Sequence, residues 1–139
     1  MSEPLLPEGV IFLRREAGRR YALGTMTGVF KADGDETRDT YSISEWWLAP
    51  RSAGPGPHRH EANDDLFYVI EGAMSFRVGE QRLVAGPGDF LRIPAGVMHD
   101  FWNDSDARAG VFNLYIPGGF ERDMPAIEQW FRDQAGNPG

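Results

Sequence analysis

The chain has no cysteine, only three histidines, no excess of basic charge and no long apolar run. Each shortage closes off a class of protein. Without cysteine there is no disulfide and no thiolate metal site, which fits a reducing cytosol. A net charge of -7 denies the chain the basic face that counterion release requires, so nucleic acid is not an expected partner. No stretch approaches the roughly 20 apolar residues of a bilayer-spanning helix, so no membrane partner is expected either. The opening "MSEPLLPEGV" shows neither the basic nor the apolar part of a signal peptide. A cytoplasmic location is the expectation.

What is present suits one packed domain spanning 1–139, the whole chain. Hydrophobic residues make up 41% and charged residues 25%, enough for a core and too apolar for disorder. Seventeen glycines and ten prolines favour many turns, hence short strands over long helices. Strands are expected at Val10–Leu13, Tyr21–Phe30, Tyr41–Leu48, Asp65–Glu71, Ala73–Val78, Arg82–Ala85, Phe90–Ile93, Val97–Trp102 and Val111–Ile116. "KADGDETRD" reads as a polar loop. One helix is expected at about 123–134, with Asp123 as N-cap, Pro125 in the first turn and an apolar stripe of Ile127, Trp130 and Phe131. Short strands with regular turns point to an all-β sandwich or barrel.

The chemistry rests on the histidines. His58 and His60 are two apart, which on a strand puts both imidazoles on one face. Asp65 starts the next strand and His99 lies in a later, turn-punctuated segment. Three imidazoles and a carboxylate can hold a divalent transition ion with one or two positions open, as a catalytic metal requires. Asp64 and Glu61 are out of phase and should face away. Gly88, Pro94 and Gly96 read as turn residues that aim His99 inward, and Asn103 as a side chain that steadies a turn. Phe67 and Val69 share the face of Asp65, and Val97 and Phe101 that of His99; with Phe76 they are candidates for a substrate pocket. Met26, Phe30 and Trp47 are further candidates. Trp46 and Trp47 must face opposite ways, so one at most lines a cavity. Arg92 would offer an anion-binding charge if it pointed inward.

These residues resemble a known family. "GPGPHRHEANDDLFYVIEG" is similar to the first cupin motif, His-x-His, three or four residues, Glu, six residues, Gly, through His58, His60, Asp65 and Gly72. "GDFLRIPAGVMHDFWN" is similar to the second, Gly-x5-Pro-x-Gly-x2-His-x3-Asn, through Gly88, Pro94, Gly96, His99 and Asn103. The resemblance extends to small single-domain cupins of the quercetin dioxygenase-like kind. It implies a double-stranded β-helix, or jelly-roll barrel, with a core at about 40–117 and a short C-terminal helix. It also implies a metal inside near one mouth and a homodimer. The departure is Asp65, an acid one methylene shorter than the family's Glu. Either the carboxylate still reaches the metal, or the metal is held by imidazoles and water and Asp65 serves as a base beside it.

The expected ion is a divalent Fe, Mn, Ni, Co, Cu or Zn, and the expected partner a small-molecule substrate. The resemblance implies a metal-dependent dioxygenase-like enzyme for a small aromatic or phenolic metabolite. The same residues serve a non-redox isomerase, epimerase or cyclase, in which Asp65 shuttles a proton. They also serve a barrel that binds a small molecule without turnover. Fold analogy does not choose among these.

Overall fold

Apolar alternation punctuated by glycine, proline and polar turns becomes nine strands in a computed structural model that describes residues 5–135. They are β1 (Arg19–Leu23), β2 (Met26–Ala32), β3 (Ser42–Leu48), β4 (Asp64–Glu71), β5 (Met74–Val78), β6 (Gln81–Ala85), β7 (Phe90–Ile93), β8 (His99–Trp102) and β9 (Ala109–Ile116). Two short helical pieces, α1 (Gly34–Thr37) and a 3-10 turn (Phe120–Asp123), precede or join the terminal helix α2 (Met124–Ala135). The ends of the expected 1–139 domain, residues 1–4 and 136–139, lie outside the described residues.

The strands form two antiparallel sheets, one in the order β1-β2-β3-β9-β4-β7 and one in the order β6-β5-β8. Together they make an all-β jelly roll with a short C-terminal helix. Alternation sends Phe67 and Val69 of β4, Met74 and Phe76 of β5, Phe101 of β8 and Val111 of β9 into one shared core, each at most 4% exposed. Trp46 of β3 faces this interior, and Trp47 faces out, covered by the Arg108 guanidinium 4.2 Å from its ring. So Trp46, and not Trp47, is the tryptophan beside the cavity described below.

Several elements differ from expectation. Val10–Leu13 forms no strand; its four side chains are 40–53% exposed and its backbone enters no ladder. A strand pattern without a partner edge has nothing to pair with. Tyr21–Phe30 is two strands, since Gly24 adopts φ +66 and begins a two-residue turn between the paired Leu23 and Met26. The loop "KADGDETRD" contains α1, started by a capping box between Asp33 and Glu36. Asp123 is not the N-cap of α2 but the last residue of the 3-10 turn. That turn is tightened by buried Glu121, whose Oε1 accepts from the Gly34 amide at 2.8 Å and the Ser42 hydroxyl at 2.7 Å. α2 then lies against β1, where Glu128 accepts from the edge amide of Ala22 at 2.6 Å. None of the described helices is long and apolar enough to cross a membrane.

Candidate metal centre

His58 and His60 belong to an irregular segment between β3 and β4, so strand alternation does not place them. What orients them is the edge of β8. His58 and His99 form an isolated antiparallel bridge, each amide donating to the other's carbonyl at 2.9 and 2.8 Å. The Gly96 amide donates to the His60 carbonyl at 2.8 Å, so the turn before His99 also holds the first motif. Gly54 lets the segment come this close: a Cβ there would stand 1.8 Å from the Phe101 carbonyl oxygen. Gly54 of the Pro/Gly-rich run thus works by lacking a side chain.

Residues far apart in sequence converge here. One donor atom from each of His58, His60, Asp65 and His99 lies within 4.8 Å of every other. Asp65 Oδ2 stands 3.1 Å from His60 Nε2 and 3.0 Å from His99 Nε2. Two donors at right angles on an ion with bonds of about 2.0–2.2 Å stand about 3 Å apart, so the shorter acid reaches ligand spacing. Asn113 Nδ2 donates to the other carboxylate oxygen, Oδ1, at 3.1 Å. Asn113 is itself held by β4 and β3, through the Leu66 carbonyl and the Ser44 hydroxyl, and Ser44 accepts from the Trp46 indole at 3.0 Å.

The hydrogen positions follow from the partners. His58 Nδ1 meets the Gly56 carbonyl at 2.7 Å and His99 Nδ1 meets the Val97 carbonyl at 2.9 Å. A carbonyl only accepts, so both Nδ1 atoms carry hydrogen, and in the neutral rings both Nε2 atoms present lone pairs. His60 Nδ1 lies 3.4 Å from the Tyr115 hydroxyl, which can accept in the same way. Lone pairs on nitrogen and carboxylate oxygen facing one point repel unless a cation, a proton or a metal ion, sits among them. The donor set, its spacing and its fixed tautomers therefore fit a divalent transition ion.

Electrostatics agree with this crowding. Burial pushes the Asp65 carboxyl up, but hydrogen bonds with His60, His99 and Asn113 outweigh it and hold the group well below the usual carboxylate range. Burial lowers His58. Burial also lowers His99, yet its bonds to Asp65 and the Val97 carbonyl leave it raised overall. The Tyr115 hydroxyl is pushed up to about 12 by burial and by the nearby charges of Asp65 and Asp123, so it stays protonated.

Over the cluster lies a cavity of about 50 Å³ bounded by Trp46, Pro55, Phe67, Phe101, Asn113 and Phe120. Of the five pocket candidates, Phe67 and Phe101 face it; Val69 and Phe76 are packed in the core, and Val97 packs against that core. Of the further candidates, Met26 and Phe30 are core residues too. Arg92 points outward and pairs with Asp64 at 3.1 Å, so it supplies no charge to the cavity. Asp64 faces away as well, accepting from the Ala95 amide, and Glu61 pairs with Arg59 on the surface. Asn103 steadies its turn, donating to the Leu48, Ala49 and Ala107 carbonyls and accepting from Ser105. Asn113, Tyr115 and Phe120 are the site residues that sequence reasoning missed. Asn113 and Tyr115 had a signal, since both fall on the inward phase of β9 with Val111.

The family described as Cupin domain matches residues 45–115, more than half of the 139 residues. Quercetin 2,3-dioxygenase of Bacillus subtilis is 38% identical over 64 residues, which are 46% of this chain. The match spans only 19% of that enzyme's length. Among solved structures, KdgF from Halomonas sp. superposes with a TM-score of 0.70 at 21% identity, covering 82% of this chain and 98% of that one. An RmlC-like cupin from Shewanella frigidimarina superposes with a TM-score of 0.67 at 17% identity, covering 80% of this chain and 94% of that one.

Proposed function

We propose that this chain, which belongs to the cupin family, is a metal-dependent enzyme of the dioxygenase type that acts on a small phenolic metabolite. The observation that carries the reading is the convergence of three imidazoles and one carboxylate, with the Nδ1 hydrogens of His58 and His99 already committed to backbone carbonyls. His58, His60 and His99 would hold the ion through Nε2 and Asp65 through Oδ2. Asp65 Oδ1 is occupied by Asn113, which favours a ligand role over the role of base. When bound, a redox-active divalent ion supplies Lewis-acid and one-electron chemistry. The chain's own part is to place and isolate the substrate. Phe67, Phe101, Trp46 and Phe120 would keep bulk water from the ion and the substrate oxygens beside it, and the Tyr115 hydroxyl, 3.4 Å from His60 Nδ1, helps orient that imidazole. The partial likeness to quercetin 2,3-dioxygenase supports the reaction class.

The test is metal analysis followed by oxygen uptake. Purified protein should carry about one divalent ion per chain and consume dioxygen with phenolic substrates. No ion after reconstitution would remove the metal centre. Turnover that persists without oxygen in zinc-loaded protein would favour a second reading, a non-redox isomerase or cyclase. The hydrogen-bonded pair of His99 Nε2 and Asp65 Oδ2 at 3.0 Å supports that second reading, since such a pair can carry a proton between them.

The assembly belongs to the same proposal. Leu66, Tyr68 and Ile70 of β4, Phe112 and Leu114 of β9 and Phe90 of β7 surround an apolar hollow of about 440 Å³ on the outer face of the larger sheet. Tyr68 is 49% and Phe90 63% exposed. Such a patch marks an association surface, and a second copy of this chain is the occupant that a homodimer supplies.

A further inference from the structure

The cavity over the imidazoles is too small for a whole aromatic metabolite. It offers about 50 Å³, against roughly 300 Å³ or more in ordinary ligand pockets. Beside it, between the barrel mouth and α2, lies a second hollow of about 330 Å³. Leu23, Met26, Met124, Ile127, Trp130 and Phe131 line it, and no charged side chain does. The two spaces share three walls, Trp46, Pro55 and Phe120. Phe120 is the partition: its ring lies 6.0 Å from that of His60 and 6.2 Å from that of Trp46. It projects from the 3-10 turn that links β9 to α2, so both spaces reach the same side chain.

We propose that the hollow beneath α2 is the subsite for an apolar, aromatic tail of the substrate, whose oxyanion head sits among His58, His60, Asp65 and His99. The proposal rests on the metal-centre reading and extends it to a bipartite substrate: a chelating head of one or two oxygens, and an uncharged ring system. Size assigns the head to the inner cavity and polarity assigns the tail to the outer one. The aromatic walls stand edge to face, as aromatic guests prefer, with Trp46 and Phe120 at 6.2 Å and Trp130 and Phe131 at 5.0 Å. α2 is then the element that selects the tail. Ile127 and Phe131 supply its inner surface, and Trp130, 56% exposed, stands at the rim.

Two chelators separate head from tail: acetohydroxamate, which is head alone, and 2-naphthohydroxamate, which adds an aromatic tail. Calorimetric titration of the cobalt-loaded full chain should give at least about tenfold tighter binding for the naphthyl compound. Ile127→Trp, which fills the hollow, should abolish that gain and leave acetohydroxamate affinity unchanged, with thermal melting as the check on folding. Ile127→Ala, which enlarges the hollow, should keep the gain and serves if the larger variant does not fold. Equal affinity for the two compounds, or a gain that survives Ile127→Trp, would overturn the subsite and leave the metal centre standing. Failure of cobalt to bind, or of acetohydroxamate to bind cobalt-loaded protein, would overturn the metal-centre reading and the subsite with it.

Discussion

At Asp65 the chain carries the shorter of the two acids, and the surrounding residues fix where its carboxylate stands. Its Oδ2 comes within 3.1 Å of two imidazole nitrogens because β4 brings it to the mouth beside β9 and Asn113 fixes its other oxygen. The positioning role of Asn113 is open to measurement. Asn113→Leu keeps the size of the side chain but leaves Oδ1 without its donor, so metal affinity should fall about 10–100-fold in a chelator competition. The phase of β4 has its own test. His99→Ala should abolish metal retention, whereas Asp64→Ala should not, because Asp64 spends its oxygens on Arg92 and the Ala95 amide. Equal losses in the two variants would mean that the strand presents the other face.

At the scale of elements, the histidine-bearing loop and the 3-10 turn show how irregular segments are held by regular ones. The segment carrying His58 makes no strand, yet it borrows the edge of β8 through the His58–His99 bridge. The turn carrying Phe120 depends on Glu121, which reaches back to α1 and β3. Removing that carboxylate strands the Gly34 amide and the Ser42 hydroxyl in a buried place. Glu121→Ala should therefore cost about 2–3 kcal/mol in urea denaturation. If Phe120 is the partition between the two hollows, the same variant should weaken discrimination between the two hydroxamates. Strands such as β4 were legible from alternation because Asp65, Phe67 and Val69 are buried and their neighbours are not. The split between β1 and β2 lies at Gly24, a first-position turn glycine inside an apolar run whose pattern is otherwise continuous. Val10–Leu13 erred the other way: its pattern is right and its partner is missing.

At the scale of the molecule, the inner face of the larger sheet is spent on the core and the metal cluster, and its outer face carries the exposed Tyr68 and Phe90 beside Phe112 and Leu114. If two copies meet there, light scattering should report a dimer, and Phe112→Glu or Tyr68→Glu should give a monomer that still binds metal. A wild-type monomer at high concentration would remove that interface.

The sequence by itself determined the elements and the donors: short alternating strands, one terminal helix, and three histidines and an acid in two spaced motifs. These depend on local periodicity, turn chemistry and residue type, which are written along the chain. Only the tertiary structure decided how close the shorter acid comes to the imidazoles, which of two adjacent tryptophans faces in, and which residues support the donors. Those answers depend on register between strands distant in sequence, β4 against β9 and β3 against β9, and on how far α2 stands from the barrel mouth. Distances of that kind come from packing, which no single segment encodes.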